Sequence, residues 1–424
     1  MRFTKHKAII ISAGYSLLFK VGVTVLGLLS TILLARFLGP SDLGTYTLIL
    51  TLVMFISLPI KAGLPQLMVR EISKYISIKQ YEKIKGILIF SNSFVIIFSL
   101  ISIFILSLVN LYFEYFEYVY LILIGLIIVI LSLNEIRGAV LRAFGRYNLG
   151  QLPDNIFRPF VFLLSLVVVY LINFEINVIT VLVCYLFSII SSFFMGAIFL
   201  LKNENFKEIK EVRSEYNIKL WILASFPMAL TNIFYLSNTQ IDILLLGYYF
   251  SASEVGLYKI SIQMSLLIAF SLQASKMISE PIFAKMYNNK LELQKTITII
   301  SRINFIFALI VFLFILLFGE MLISFMFGED YISAYIAFII LAIGRLMSAL
   351  FGAGGYLLNM GGFEKQYANI WLLTALLNIV LNFIIIPIGG INGAALSTSL
   401  SLIFANLLTY FKAKKLTNLK CSPF

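Results

Sequence analysis

The chain has 424 residues, of which 61 % are hydrophobic and 12 % charged, a composition too apolar for a soluble domain of this length. Its formal charge of +12 would suggest nucleic-acid binding in a soluble protein. Here the basic residues fall between apolar stretches, where membrane topology and anionic lipid account for them, so no nucleic-acid partner is expected. The single histidine, His6, excludes His-rich metal sites and histidine-based catalytic triads, and we expect neither a metal nor a catalytic residue.

Twelve apolar stretches of spanning length can be placed on the chain, since about 20 residues cross the ~30 Å hydrocarbon core. They lie at about 10–36, 45–69, 87–110, 118–138, 151–172, 178–201, 220–248, 254–276, 298–319, 331–357, 367–387 and 392–411. The sequence therefore predicts an all-α polytopic membrane protein. Its two six-helix lobes would span 1–201 and 220–411, with a cytoplasmic linker at 202–219 and a cytoplasmic tail at 412–424.

The connections between these stretches alternate in charge. Lysines and arginines concentrate in every second connection, as in 70–85 and 202–219, whereas the intervening ones carry acids such as Glu117 and Glu329. Because basic residues stay on the cytoplasmic side, both termini are predicted to be cytoplasmic.

A short motif recurs at equivalent places in the two halves. The sextet SDLGTY that begins at Ser41 returns as SEVGLY at Ser253, each at the outer turn between the first and second helix of its half. Six helices per half give the copies the same orientation, which predicts a parallel internal repeat. We expect Gly44 and Gly256 within these motifs to allow close approach of helices.

Three segments together resemble a known family of exporters. They are ARFLGP at 35–40 running into DLGTY at 42–46, GLP at 63–65 followed by Arg70-Glu71, and Pro387 followed by GINGAA at 390–395. In these the chain is similar, over its whole length, to the polysaccharide-exporting branch of the multidrug/oligosaccharidyl-lipid/polysaccharide exporter superfamily. Within that branch it resembles the bacterial O-antigen flippases (Wzx-type).

This resemblance implies a V-shaped exporter that moves undecaprenyl-diphosphate-linked oligosaccharide, an O-antigen or capsule repeat unit, by alternating access. The movement would run from the inner to the outer leaflet of the bacterial cytoplasmic (inner) membrane, as part of lipopolysaccharide or other surface polysaccharide biosynthesis. It implies no bond-making, so the chain is not expected to be an enzyme or to need a cofactor. The glycan polymerase and the chain-length regulator are the expected protein partners. The alternative within the superfamily is a multidrug/cation antiporter, whose site should be richer in acids.

A diphosphate that crosses the membrane needs cations inside the spans, where ionisable side chains are costly enough to indicate function. Lys20, Lys61 and Arg345 are the predicted diphosphate-binding residues, with interhelical ion pairs or snorkelling to the surface as the competing interpretation. Arg36 and Lys259 lie near outer helix ends, where snorkelling or pairing with Asp42 and Glu254 is favoured.

Two further positions carry open alternatives. Arg158 follows Asp154 by four residues, so a local ion pair explains both, although Arg158 is also a candidate for the inner vestibule. Asp242 is an acid well inside a span. It is the candidate for H⁺ or Na⁺ coupling, or else the partner of Lys259 on the adjacent helix.

Overall fold

The computed structural model describes the backbone of residues 2–114, 117–286, 290–351 and 354–423. Side chains are described from Val21 onward, except those of 207, 210, 270–286, 356 and 360. Over these residues the chain is helical and contains no strand. The predicted all-α fold is therefore confirmed.

The helices and helical turns follow one another with short connections. In chain order they are α1 (Arg2–Lys61), α2 (Leu64–Ser77), α3 (Tyr81–Phe113), α4 (Tyr118–Ala143), α5 (Tyr147–Leu152), a π-helical turn (Pro153–Phe157), α6 (Arg158–Leu171), α7 (Val178–Leu201), α8 (Glu204–Glu211), α9 (Ile218–Tyr249), α10 (Ala252–Met286), α11 (Lys290–Phe327), a 3₁₀ turn (Glu329–Ala334), α12 (Tyr335–Phe351), α13 (Gly354–Met360) and α14 (Glu364–Thr417).

Nine helical stretches of the described chain are long and apolar enough to cross a membrane, which agrees with a multi-pass membrane protein. Two of them, α1 and α14, each extend over two predicted spans, of which α1 reaches only part of the second, and each is interrupted by a non-helical glycine. These are Gly39 (φ 70°) and Gly390 (φ 54°), where glycine adopts a positive φ without steric cost. The helix α10 coincides with the eighth predicted span but is not among the nine, so the number of twelve stays a prediction.

The second predicted span, 45–69, is broken in the middle. Helix α1 ends at Lys61 and α2 begins at Leu64, with Ala62 (φ 41°) and Gly63 (φ 73°) in left-handed conformations between them. A Cβ added to Gly63 would lie 2.7 Å from the backbone nitrogen of Ala229, so this turn packs directly on α9. The second predicted span therefore consists of two helices joined by a turn.

The chain forms two compact units. The first contains Met1–Thr24, Thr31–Leu48 and Ser237–Phe424, and the second contains Val25–Ser30 and Ile49–Leu236. The lobe boundaries expected from the sequence stay a prediction.

The second unit is built around α4, which packs against α2, α3, α5 and α7. Its residues Ile124, Ile127 and Ile128 are fully buried. Near the start of α9, the fully buried Trp221 donates from Nε1 to Tyr75 Oη at 3.2 Å. The polar side chains of α4 are therefore held on a helix that is fixed from several sides.

In the first unit α12 packs against α10, α11 and α14. The segment after α14 packs against one end of this unit. Gln294 of α11 donates from Nε2 to the Lys420 carbonyl at 2.9 Å and accepts from the Lys420 amide at 2.7 Å. Leu419 and Cys421 are buried in an apolar cluster with residues of α11, α13 and α14. This segment is thus packed on the helices.

Candidate functional site

A polar pocket of about 510 Å³ lies in the second unit, where α2, α4 and α5 meet the π-helical turn. Its charged lining residues are Arg142 and Arg158 together with Glu135 and Asp154. Uncharged polar side chains complete its walls: Gln66, Asn134, Tyr147, Gln151 and Asn155. We refer to this cavity as the polar pocket.

Both carboxylates of the polar pocket are neutralised by cations from neighbouring positions. Asp154 pairs with Arg137 at 3.2 Å and Glu135 pairs with Lys61 at 2.7 Å. Among the described side chains, neither Arg142 nor Arg158 has a carboxylate within 4.0 Å. The pocket therefore presents two arginines whose charge is not cancelled by a direct ion pair.

The buried pair of Arg137 and Asp154 differs from the expected local pair of Asp154 and Arg158. The Arg137 side chain is 5 % exposed, and its Nη1 also donates to the carbonyls of Ser192 (2.6 Å) and Phe193 (2.8 Å). Ser192 Oγ donates to Asp154 Oδ1 at 2.7 Å. The prediction of a local pair was wrong because Asp154 lies inside a π-helical turn and Arg158 directly follows it, which changes the angular relation between residues four apart.

Room for the Arg137 guanidinium is created by a glycine on α7. A Cβ added to Gly196 would collide with the guanidinium of Arg137. From the sequence, Arg137 and Arg142 count only as cytoplasmic charges that set topology. The packing of α4 against its neighbours places Arg142 in the polar pocket and Arg137 beside Asp154.

Arg158 lines the polar pocket, and its guanidinium carbon lies 5.9 Å from the centroid of the Tyr185 ring. That distance is within the range of cation–π attraction. The ring supports the arginine without using its N–H groups, which leaves these donors available to a ligand. Its role in the vestibule stays a prediction.

Lys61 lies at the end of α1 and is 15 % exposed, and its partner Glu135 is 45 % exposed. The sequence left two interpretations of Lys61, diphosphate binding and an interhelical ion pair. The structure contains the ion pair. Glu135 itself was not singled out from the sequence. The available signal was an acid three residues from the end of the predicted span 118–138.

Asp242 in the first unit is 3 % exposed and fully hydrogen-bonded. Its Oδ2 accepts from Tyr258 Oη at 2.6 Å and from Thr398 Oγ1 at 3.0 Å, and its Oδ1 accepts from the amide of Ile243 at 2.9 Å. None of these donors is Lys259, the alternative partner expected from the sequence. The three donors offset part of the cost of burying this carboxyl group.

Arg345 and Lys20 are the other two predicted diphosphate-binding residues, and Arg345 is not part of the lining of the polar pocket. Arg345 lies on α12 of the first unit, close enough for its charge to act on the Tyr258 hydroxyl. Lys20 lies on α1, but its side chain is outside the described residues. The structure thus places Arg345 within electrostatic reach of Tyr258, and it brings Lys61 to the edge of the polar pocket.

The sequence suggested Asp42 as a partner of Arg36, but in the structure Arg36 bonds to backbone carbonyls instead. Its Nε donates to the Met326 carbonyl at 3.1 Å, and its Nη2 donates to the carbonyl of Phe325. Arg36 therefore satisfies carbonyls at the C-terminus of α11, an end that attracts cations.

Metal-ligating side chains are not clustered in the part of the chain that the structure describes, where no group of three or more His, Cys, Asp or Glu residues could hold an ion.

Known proteins share this fold. The lipid II flippase MurJ in an inward closed conformation matches with a TM-score of 0.74 and 16 % identity, over 94 % of this chain and 87 % of that one. An inward-facing multidrug resistance transporter of the MATE family, in the MOP superfamily, matches with a TM-score of 0.71 and 16 % identity. That match covers 93 % of this chain and 94 % of the transporter. At this identity the matches show the fold alone.

A sequence relative is the probable low-salt glycan biosynthesis flippase Agl15 of Haloferax volcanii, which is 26 % identical over 200 residues. This stretch is 45 % of the chain and 40 % of the relative, so the chain matches less than half of that protein's length. The model of the family described as "polysaccharide biosynthesis protein" matches residues 33–336, which is well over half of the chain. The chain therefore belongs to this family of polysaccharide biosynthesis proteins.

Proposed function

We propose that this protein is a flippase that moves undecaprenyl-diphosphate-linked oligosaccharide from the inner to the outer leaflet of the bacterial cytoplasmic membrane by alternating access. The observation that carries the proposal is the polar pocket with its two arginines, Arg142 and Arg158, among apolar spans. Ionisable side chains among membrane helices are costly unless they serve a polar or charged ligand. The names of MurJ and Agl15, both flippases, support the same class.

The chemistry of the pocket fits a diphosphate joined to a sugar. Guanidinium groups bind phosphate oxygens through pairs of N–H donors, and the low local dielectric strengthens each contact. Amide groups of Asn134, Gln151 and Asn155 can both donate to and accept from sugar hydroxyls. The lipid tail would stay in the bilayer, because its transfer into a polar cavity is unfavourable.

Lys61, Lys20 and Arg345 remain proposed diphosphate contacts along the path. For Lys61 this requires that Glu135 give up its ion pair when the diphosphate arrives. The pair is partly exposed, so an incoming phosphate can reach the ammonium group and compete for it.

Coupling to H⁺ or Na⁺ is proposed at Asp242. Its carboxylate is buried and held by Tyr258 and Thr398. A proton would neutralise the carboxylate, and a sodium ion would need oxygen ligands of the kind that these side chains offer. Either event would change the charge that the surrounding helices must accommodate.

We also propose an orientation with cytoplasmic termini. A cysteine placed at Ser253 should react with a membrane-impermeant maleimide from outside, and one at Arg213 only after the membrane is opened. Both native cysteines are buried, so the background labelling should be low. The reverse pattern would overturn this orientation.

The test of function is the pool of lipid-linked glycan in a strain that lacks the gene, complemented with variants. Without the protein, single repeat units should accumulate on the carrier lipid at the inner leaflet and surface polymer should be lost. Arg142→Gln and Arg158→Gln should fail to restore export. Arg146→Gln is the matched control, because Arg146 lies exposed at the turn before α5, outside the polar pocket. Normal surface polymer from both pocket variants would contradict the proposal.

The alternative function is a multidrug/cation antiporter. The fold match to a multidrug resistance transporter and the buried acid Asp242 favour it. A deletion strain with an unchanged lipid-linked glycan pool and increased sensitivity to cationic drugs would establish this alternative. A role beside the glycan polymerase and the chain-length regulator is proposed only with the flippase function, and neither function includes a catalytic step.

A further inference from the structure

Two adjoining clefts lie on α14 in the first unit. The first, which we call the apolar cleft, has a volume of about 420 Å³ and is lined by the two parts of α14 that Gly390 separates. Its apolar side chains are Ile370 and Leu373 from the first part and Leu408 and Phe411 from the second. Leu373 is 52 % exposed and Phe411 is 61 % exposed, so the cleft offers hydrocarbon surface that the described chain does not cover.

The second cleft, which we call the basic cleft, has a volume of about 430 Å³. It adjoins the apolar cleft, since both are lined by Phe411 and Lys415. Its other lining residues are Lys414, Asn418 and Lys420. Among the described residues no carboxylate lines either cleft. The two clefts thus join a hydrocarbon surface to a cationic one.

The ammonium groups of the basic cleft have no partner in the part of the chain that the structure describes. No hydrogen bond or ion pair there involves the side chains of Lys414, Lys415 and Lys420. The backbone of Lys420 is held in place by its two hydrogen bonds with Gln294. Each ammonium therefore keeps three donors for an external acceptor, and an anion among the three like charges would reduce their repulsion.

We propose that the two clefts together bind one anionic phospholipid, with an acyl chain in the apolar cleft and the phosphate among Lys414, Lys415 and Lys420. The last predicted span, 392–411, ends at Phe411, which puts the apolar cleft beside the hydrocarbon and the basic cleft beside the headgroups. A cluster of lysines directly after a spanning helix on the cytoplasmic side attracts the negative headgroups of that leaflet. The adjoining apolar surface selects an amphiphile over a soluble anion.

Membrane topology is the competing explanation for these lysines. The positive-inside rule depends on how many basic residues lie on one side, so any three cytoplasmic lysines should be equivalent. A binding site requires these three in particular. The transported lipid is a less suitable occupant, because its diphosphate would belong to the polar pocket of the second unit. The inference is thus independent of the proposed function.

The test uses the full-length protein, purified in mild detergent, stripped of lipid and then offered phosphatidylglycerol or phosphatidylcholine with identical chains. Native mass spectrometry counts the lipid that stays bound. The wild type should retain one phosphatidylglycerol in preference to phosphatidylcholine. Each lysine of the basic cleft replaced by glutamine should reduce this preference about fivefold, as expected for one lysine near an anionic headgroup. The matched control replaces three exposed lysines elsewhere and should keep the preference: Lys74, Lys79 and Lys202.

A second pair of variants tests the acyl chain. Asn369→Trp narrows the apolar cleft and should reduce retention, whereas Ala368→Trp, exposed at the preceding position and outside both clefts, should not. Equal preference in the wild type and in the triple variant of the basic cleft would overturn the proposal, as would an equal loss in the control with three other lysines. Displacement of phosphatidylglycerol by stoichiometric undecaprenyl phosphate would overturn it as well, because the clefts would then belong to the carrier lipid.

Discussion

Gly44 and Gly256 lie backbone to backbone in the first unit. A Cβ added to Gly44 would collide with the carbonyl oxygen of Ala252 and lie 3.0 Å from the Gly256 nitrogen. A Cβ added to Gly256 would collide with the Pro40 carbonyl and lie 3.2 Å from the Gly44 nitrogen. The two copies of the repeated sextet thus contact each other at the position where both have glycine, because only a residue without a side chain permits this approach.

Gly44→Ala should destabilise the first unit by about 1–3 kcal/mol, the usual cost of overpacking a close contact. The thermal unfolding midpoint in detergent measures this change. Gly27→Ala is the matched control on the same helix, since nothing lies within 4 Å of a Cβ at that position. The control should be neutral or slightly stabilising, because alanine favours helix over glycine. Equal midpoints for both variants would contradict the contact.

Single and double substitutions of Lys61 and Glu135 distinguish a structural role of their ion pair from a role in transport. Lys61→Met alone leaves Glu135 without its cation, and Glu135→Leu alone leaves Lys61 without its anion, so each should lower the amount of folded protein in the membrane. The double variant removes both charges and should restore that amount. Measured export then distinguishes the two interpretations. Restored protein without export means that the pair takes part in transport, and restored export means that the pair is only structural.

Asp242→Asn should remove the dependence of transport on an ion gradient. The asparagine oxygen still accepts a hydrogen bond from Tyr258 or Thr398, but the side chain can neither take up a proton near neutral pH nor offer a negative charge to Na⁺. Transport is measured with and without an ionophore that dissipates the gradient. Thr398→Val is the companion variant, since it removes one hydrogen bond but keeps the carboxylate. Unaltered gradient dependence in Asp242→Asn would leave this residue a structural role.

Cys421 should react slowly with maleimide at neutral pH. Burial raises the pKa of its thiol from the ordinary 9.0 to about 12, and only the thiolate is nucleophilic. Gln294→Ala removes both hydrogen bonds to Lys420 and should release the segment and speed labelling. Lys295→Ala, an exposed neighbour on α11, should not.

Because of the raised pKa of the Cys421 thiol, we expect the free energy of unfolding to fall at high pH. Because its pKa is higher in the folded than in the unfolded state, its contribution is fully present below pH 9 and decreases as the pH rises from 9 toward 12. Replacement by serine should remove this part of the alkaline dependence, which is measured from unfolding midpoints across that range. An identical alkaline profile for wild type and Cys421→Ser would show that the thiol is not protected by the fold.

Several features of the fold follow from the sequence because they are local. Apolar runs of spanning length predict the helices, and the glycines at Gly39, Gly63 and Gly390 mark where helices are interrupted. The repeated sextet also predicts that Gly44 and Gly256 serve close packing. Each of these depends on backbone geometry or on hydrophobicity over a short stretch, which nearby residues determine.

The pairing of charges could not be predicted in the same way. Arg137 was expected to face the cytoplasm and Asp154 to pair with Arg158, yet a π-helical turn and the space above Gly196 bring Arg137 to Asp154. Likewise, one hydrogen-bond partner of Asp242 is Tyr258, next in sequence to Lys259, the alternative partner considered from the sequence. Adjacent residues on a helix point about 100° apart, so a one-residue difference selects another neighbour.

The sequence by itself determined the class of this protein: a helical, multi-pass membrane protein related to polysaccharide exporters. Only the tertiary structure decided which charges remain without a counterion, and hence that the polar pocket offers Arg142 and Arg158. The physical reason is that hydrophobicity and charge asymmetry act along the chain, whereas the partner of a buried ion depends on which helix faces are packed together.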